Sequence, residues 1–123
     1  LTADPNDVAG LTSLARVQMA LGDANAVATA EKAVKLAPTR ADALDSLGWI
    51  LTRGGQLDAG LRHLRDARLR DPSNPDVRYH LAFALAKAGR KAEAKDELAA
   101  AMSGPNRVQN STELTKLKAE LGL

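Results

Sequence analysis

The sequence predicts an all-α solenoid of stacked helical hairpins that ends in a C-terminal capping helix. Three observations support this fold class. Proline and glycine recur with one common period, apolar residues fall at helical spacing between them, and strand-forming aromatic residues are scarce. The 123 residues include one Trp, one Tyr and one Phe, so alanine and aliphatic side chains supply nearly all of the apolar content. Such a composition favours helices over strands.

The repeating element is 33 or 34 residues long and is marked by four residue types. These are the prolines Pro5, Pro38, Pro72 and Pro105, the glycines Gly22, Gly55 and Gly89, the leucines Leu14, Leu47 and Leu81, and the alanines Ala33, Ala67 and Ala101. Proline disfavours continuation of a helix, and glycine readily adopts the left-handed conformation that ends one. The period therefore predicts a repeated unit of helix, tight turn and helix.

The middle unit shows how each helix is encoded. Its first helix has an apolar stripe of Leu44, Leu47, Ile50 and Leu51, and its second has Leu57, Leu61, Leu64 and Ala67. The pairs Thr39 with Asp42 and Ser73 with Asp76 predict capping boxes at two helix starts. Small residues beside the marker leucines, Gly48 among them, predict that the two helices of a hairpin approach closely.

The middle unit, "ALDSLGWILTRGGQLDAGLRHLRDARLRDP", resembles the tetratricopeptide repeat (TPR). The signature positions it fills are Leu47-Gly48, Gly55, Leu57, Leu64, Ala67 and Pro72. Residues 75–105 match with Leu81-Ala82, Gly89, Ala94, Leu98 and Ala101. Residues 7–38 match less well, because one residue is missing after the turn and Gln18 and Ala24 replace larger apolar residues. The resemblance implies a right-handed α-solenoid.

The resemblance divides the chain into five segments. Residues 1–5 are expected to be the tail of a truncated upstream repeat, residues 6–38, 39–72 and 73–105 to be three repeats, and residues 106–123 to be a linker and the capping helix. The opening "LTADP" reads as the end of a preceding second helix, which predicts an exposed apolar flank that includes Leu11 and Leu14. At the other end, Leu114, Leu117 and Leu121 form one narrow apolar stripe, and Asn110 or Ser111 is expected to cap this helix.

In the TPR family, the first helices of successive repeats line a concave surface that faces the ligand. Residues four apart share a helix face, so the same face can be followed from repeat to repeat. The predicted groove residues are Thr12, Arg16, Met19, Asp45, Trp49, Arg53, Tyr79, His80, Phe83 and Lys87. All three aromatic residues lie on this stripe. The alternative is packing between repeats, which is the favoured interpretation for Tyr79 and His80 and is balanced against binding for Trp49 and Phe83.

Other function classes find little support in the sequence. The formal charge of +2 is too small to indicate a nucleic-acid partner. The basic run "LRHLRDARLRD" is interpreted as a solvated, salt-bridged helix face, because Asp58, Arg62, Asp66 and Arg70 alternate in sign at four-residue spacing. The chain has no cysteine and no nucleotide-binding or hydrolase motif, and His63 and His80 have no ligand partner at helical spacing. We expect no enzyme activity, no cofactor and no metal, and the chain lacks an apolar run long enough to span a membrane.

The predicted function is a protein-interaction scaffold that binds a peptide or partner helix in the concave groove. Trp49 and Phe83 would be apolar anchors, and Arg16, Arg53 and Lys87 would steer acidic groups. The chaperone-tail class of TPR partners is not expected, because Asp45 and Trp49 stand where its carboxylate clamp needs other residues. Two alternatives stay open: polysaccharide stacking on the aromatic side chains, and self-association through the exposed N-terminal flank.

A narrower resemblance concerns the phrases "ALDSLGWIL" and "VRYHLAFALAKAGRKAEA". They resemble the last repeats of long bacterial TPR lipoproteins associated with exosortase (PEP-CTERM) sorting and exopolysaccharide export. This resemblance implies a scaffold on the periplasmic face of a bacterial envelope.

Overall fold

The computed structural model describes residues 6–103 and 111–123, and in this part of the chain all regular secondary structure is helical. The helices are α1 (Val8–Ala20), α2 (Ala26–Leu36), α3 (Ala41–Arg53), α4 (Leu57–Arg70), α5 (Pro75–Lys87), α6 (Lys91–Met102) and α7 (Thr112–Leu121). The first six helices form three hairpins, and α7 follows alone. The predicted tail at residues 1–5 lies outside the described residues.

The turn inside each hairpin depends on a glycine, as the period predicts. Gly22, Gly55 and Gly89 have φ angles of 71°, 89° and 79°, a backbone region that residues with a Cβ rarely adopt. In the middle hairpin, the amide of Gly55 donates to the Thr52 carbonyl at 3.1 Å and the amide of Gln56 donates to the Leu51 carbonyl at 2.9 Å. These two bonds satisfy the carbonyls that the end of α3 leaves open.

The helix starts differ from the predicted capping boxes. Arg40 precedes α3 and no side chain caps that helix, so the prediction for Thr39 is wrong. Asn74, rather than Ser73, caps α5, and its Oδ1 accepts from the amide of Asp76 at 2.9 Å. The physical reason is Pro75, whose fixed φ suits the first helical position and moves the cap to the residue before it. Ser111 caps α7 as predicted, accepting from the amide of Leu114 at 3.1 Å; Asn110 lies outside the described residues.

The two helices of the middle hairpin approach closely at a pair of facing glycines. A Cβ placed on Gly48 would lie 2.7 Å from Cγ of Leu64 and 3.0 Å from the carbonyl oxygen of Gly60. A Cβ on Gly60 would lie 2.3 Å from Oγ1 of Thr52. The close approach predicted from Gly48 is therefore present, and it requires a second glycine on the facing helix.

The hydrophobic core extends through the stack and reaches α7. Leu64, Leu81, Leu85 and Leu98 are its largest fully buried aliphatic residues. At the N-terminal end the apolar face of α1 is open, with Leu14, Val17 and Leu21 exposed by 47, 54 and 78%. The exposed flank predicted there is confirmed for Leu14, whereas Leu11 is partly covered.

One ion pair of the predicted alternating series forms on α4, and other arginines of this helix pair with α6. Arg70 pairs with Asp66 one turn earlier, at 3.3 Å. Other arginines cross to α6 in the next hairpin: Arg65 pairs with Glu93 at 3.3 Å and Arg68 with Glu97. Glu97 also forms an ion pair with Arg78 of α5 at 3.0 Å, so this buried carboxylate joins two hairpins.

Candidate protein-interaction groove

The first helices of the three hairpins, α1, α3 and α5, bring most of the predicted groove residues together. We call this surface the A-helix stripe; it consists of Arg16, Met19, Asp45, Trp49, Arg53, Tyr79, His80, Phe83 and Lys87. Each of these residues has a contact or a shared cleft with another member on a neighbouring helix. Thr12 is the exception. Its hydroxyl is buried and donates to the carbonyl of Val8 at 2.8 Å, within its own helix.

Asp45 is the polar centre of the stripe. Its side chain is almost fully buried, and it accepts from Arg16 at 3.0 Å through Oδ2 and lies 2.8 Å from Nδ1 of His80 through Oδ1. A carboxylate can only accept, so Nδ1 of His80 carries the hydrogen of that bond. Arg16 also donates to Oγ of Ser46 at 2.6 Å. One acidic side chain thus links the first helices of all three hairpins.

The aromatic side chains pack on one another between the second and third hairpins. The rings of Trp49 and His80 are stacked with centroids 4.2 Å apart, and the ring of Phe83 meets Trp49 edge-on at 5.0 Å. Tyr79 lies 6.0 Å from Trp49. Trp49 is 9% exposed, and Tyr79 and His80 are also buried, whereas Phe83 is partly exposed. The packing interpretation therefore applies to Tyr79, His80 and Trp49, and Phe83 remains accessible.

Two cations lie against these rings. Cζ of Arg53 is 5.2 Å from the centroid of Trp49 and 5.6 Å from that of Phe83. Nζ of Lys87 is 5.4 Å from the centroid of Phe83. These distances are within the range of cation–π attraction, which holds the charged groups near the ring while leaving them in contact with water.

The C-terminal helix α7 lies against the same stripe. Glu113 near its start forms an ion pair with Arg53 of α3. Leu114, Leu117 and Leu121 are buried in the core that contains Trp49 and Tyr79. Burial raises the pKa of the Tyr79 hydroxyl above its usual value of 10.0, and the charge of Glu113 adds to the rise. The charge of Arg53 and a hydrogen bond with Ser111 partly offset it.

A cleft of about 520 Å³ remains open between α7 and the ends of α3 and α5. Its apolar wall includes Leu57, Phe83 and Leu117, and its cationic groups are Arg53, Lys87 and Lys116. Glu113 and Glu120 supply its acidic groups. This cleft is the place on the stripe where a partly exposed aromatic ring, aliphatic side chains and cations meet.

Sequence reasoning missed two residues of this site. Ser46 holds the guanidinium of Arg16, and Glu113 faces Arg53 from α7. Glu113 precedes the apolar stripe of α7 by one residue, so it lies at the edge of the buried face. This position in the sequence was the one signal that α7 could supply an acidic partner for a basic residue of the stripe.

The part of the chain that the structure describes offers neither a metal site nor a membrane-spanning helix. No cluster of three or more His, Asp or Glu side chains there could hold a metal ion. None of the described helices has the length and apolar character needed to cross a membrane.

Comparisons with solved structures identify similar folds. The structure of MamA superposes with a TM-score of 0.74 at 22% identity, over 97% of this chain and 67% of the other. The type III secretion translocator chaperone SycD of Yersinia enterocolitica superposes with a TM-score of 0.74 at 23% identity, over 94% and 89% of the two chains. The structure of SycD in complex with a peptide of the translocator YopD superposes with a TM-score of 0.72 at 24% identity, over 92% of this chain and 88% of the other.

Part of an enzyme also shares the fold. The O-GlcNAc transferase of Thermobaculum terrenum superposes with a TM-score of 0.74 at 24% identity, over 83% of this chain and 20% of the enzyme. At these identities the likeness concerns the fold, and it confirms the predicted all-α solenoid. A search of curated proteins found no match. A family model described as "Tetratricopeptide repeat" matches residues 51–121, more than half of the chain. Together with the three glycine-turned hairpins, this match shows that the chain belongs to the tetratricopeptide repeat family.

Proposed function

We propose that this chain is a non-catalytic interaction scaffold that binds a segment of a partner protein along the A-helix stripe. The observation that carries the proposal is the open cleft, where Phe83 stands between the cations of Arg53 and Lys87. The solved complex of SycD with a translocator peptide supports it, because a protein of the same fold is there bound to a peptide.

The chemistry of the cleft suits an acidic segment with an apolar anchor. Phe83 and Leu57 offer an apolar surface, and an aromatic or aliphatic side chain placed there would lose contact with water. Lys87 and Arg53 would attract carboxylates of the incoming segment, and this attraction mainly increases the rate of association. In this arrangement Trp49 supports the surface from below instead of serving as the anchor itself.

The proposal is tested with the full chain and labelled peptides that share one apolar core but carry acidic, neutral or basic flanks. Fluorescence anisotropy should rank the acidic peptides first. Phe83→Ala should weaken them about tenfold or more, in keeping with loss of an aromatic anchor. Lys87→Ala should reduce the preference for acidic flanks, whereas Lys91→Ala, an exposed lysine at the start of α6, should not. Equal binding of all three peptide classes would contradict the proposal.

Self-association is a second candidate, and the exposure of Leu14, Val17 and Leu21 favours it. Two large apolar side chains of α1 and the one at its C-cap form a patch of the kind that proteins use for contacts. Sedimentation velocity over a range of concentrations should then show a dimer that the double variant Leu14→Ser/Leu21→Ser abolishes. Leu69→Ser is the control, because Leu69 is 74% exposed, close to the 78% of Leu21, but lies on α4.

Polysaccharide binding is less well supported by the geometry. The ring of Trp49 is covered by His80, Phe83 and Arg53, which leaves little of its surface for a sugar to stack on. A role in an envelope system for exopolysaccharide export or protein sorting stays a prediction from the sequence resemblance. Titration with exopolysaccharide should leave the emission of Trp49 unchanged, and a saturable shift would reopen this alternative.

A further inference from the structure

The C-terminal helix occupies the surface where the proposed function places a partner. We propose that α7 is a displaceable internal ligand of the groove, and that the partner it gives way to is an amphipathic helix of the same chemistry. That helix carries an acidic residue immediately before a stripe of leucines, as Glu113 precedes Leu114, Leu117 and Leu121. The inference rests on the proposed function and names its ligand class and its regulation.

The contacts of α7 reach farther than capping requires. A helix that only closes the stack needs to cover the last hairpin, which is formed by α5 and α6. Glu113 instead pairs with Arg53, which lies on α3 in the hairpin before. Both Glu113 and Arg53 lie close enough to Tyr79 to shift the pKa of its hydroxyl. α7 therefore packs against α6 of the last hairpin, while its N-terminal end lies on the A-helix stripe.

The attachment of α7 is weak enough to be reversed. Its ion pair joins side chains that are 38 and 51% exposed, and such pairs contribute little in water. Its apolar contacts come mainly from three leucines on a helix of 10 residues. A helix of that length is shorter than the roughly 12 to 15 residues that an isolated helix needs for marginal stability. Once α7 leaves the stripe, its helical structure is lost with its contacts.

The open cleft gives a competitor a first contact. Phe83, Ala86 and Lys87 line it on the side of α5, while Lys116, Leu117 and Glu120 line it on the side of α7. An incoming helix with an acidic residue ahead of its leucines can bind Lys87 and Phe83 before α7 has moved. The apparent dissociation constant of such a ligand is its intrinsic value divided by the fraction of chains whose groove is free. Weakening α7 must therefore strengthen binding of the ligand.

The experiment uses the full chain and a fluorescein-labelled peptide of residues 111–123. Anisotropy should show weak binding to the wild type and binding about tenfold or more tighter to Leu117→Ala, because that variant frees the groove. Thr115→Ala is the matched control, since Thr115 is exposed on the same helix. This variant should bind the peptide with the affinity of the wild type. A peptide with Glu113→Lys should bind Leu117→Ala less well than the unaltered peptide.

A second readout does not depend on the folding of any variant. In wild-type chain saturated with the peptide, hydrogen exchange of the chain's own α7 amides should accelerate while that of α5 amides should not. Equal affinity of the peptide for wild type and Leu117→Ala, or α7 amides that stay protected in the complex, overturns the inference. A wild-type chain that sediments as a dimer and that the peptide of residues 111–123 dissociates would also overturn the inference. In that case the occupant of the groove is α7 of a second copy of this chain.

The two proposals fail in distinguishable ways. If extended acidic peptides bind at Phe83 and Lys87 while the helical peptide does not bind to Leu117→Ala, the proposed function stands and the displacement of α7 is overturned. If neither kind of peptide binds wild type or variant, both are overturned.

Discussion

Nδ1 of His80 lies 2.8 Å from Oδ1 of Asp45, so a side chain of the third hairpin is tied to a buried carboxylate of the second. The same carboxylate accepts from Arg16 of the first hairpin. A single residue therefore contributes to both joints of the stack.

Removing this carboxylate should destabilise the whole solenoid. Asp45→Ala leaves the buried His80 without its acceptor and Arg16 without its charge partner, and we expect a loss of about 2 kcal/mol in the free energy of unfolding. Urea unfolding followed by circular dichroism measures it. Asp42→Asn, in which an exposed ion pair with Arg40 is lost, is the control and should unfold at nearly the wild-type midpoint. An unfolding midpoint of Asp45→Ala that matches this control would contradict the role of Asp45.

The glycine contact in the middle hairpin gives a second prediction. Gly48→Ala places a Cβ 2.7 Å from Leu64, so the two helices must separate, and we expect a cost of about 1 to 3 kcal/mol. Gly54→Ala is a matched control on the same segment, because its nearest neighbour would be 3.4 Å away and its φ is –83°. Thermal unfolding of both variants checks the difference. Similar melting temperatures for the two would show that α3 and α4 can separate freely.

Glu97 and Glu93 lie on one helix and allow a direct comparison of buried and exposed ion pairs. Glu97 is 7% exposed and accepts from Arg68 and Arg78, whereas the pairs of Glu93 with Arg65 and Arg90 are exposed. We expect Glu97→Ala to cost about 1 to 2 kcal/mol and Glu93→Ala about 0.5 kcal/mol or less. Urea unfolding at low and high salt measures both. An equal loss for the two variants would mean that burial of Glu97 has no energetic consequence.

Tyr79 predicts a specific sensitivity to alkaline pH. Burial and Glu113 raise its pKa in the folded state above the value of 10.0 expected in the unfolded chain. The folded state then holds the proton more tightly, so the contribution of Tyr79 is complete below about pH 10 and is lost as pH rises through the folded pKa. Above about pH 10 the urea midpoint should fall more steeply for wild type than for Tyr79→Phe. Parallel pH profiles would contradict this assignment.

The repeat period was sufficient to predict the hairpins, because each marker residue has a local mechanical role. Gly55 ends a helix, and Gly48 permits close contact between the two helices of its hairpin. Neither role depends on where the neighbouring repeats lie. The environment of Trp49 could not be predicted in the same way. Its stripe position follows from helical spacing, but its burial comes from His80 and Phe83 of the next hairpin and from Arg53. The pairing of Arg53 with Glu113 of α7 in turn joins segments 60 residues apart. The period contains no information on where a non-repeating helix docks.

Local competition explains the smaller errors. The hydroxyl of Thr12 has a carbonyl of its own helix within reach, so it bonds to Val8 rather than facing the groove. Asn74 takes the capping role from Ser73 because it directly precedes Pro75. For the cap, a polar residue was predicted at the correct helix start, and backbone geometry decided between two neighbours.

The backbones of α3 and α4 approach closely where Gly48 and Gly60 face each other, and the side chains of Leu64 and Thr52 fill the space beside them. We therefore expect the middle hairpin to move as one rigid body. The joint to the next hairpin is different in kind, since Ala67 and Val77 meet there as side chains that can repack. Any change in the curvature of the solenoid must be accommodated at such joints. The width of the groove, and with it the thickness of the segment that fits, is set between hairpins and not within them.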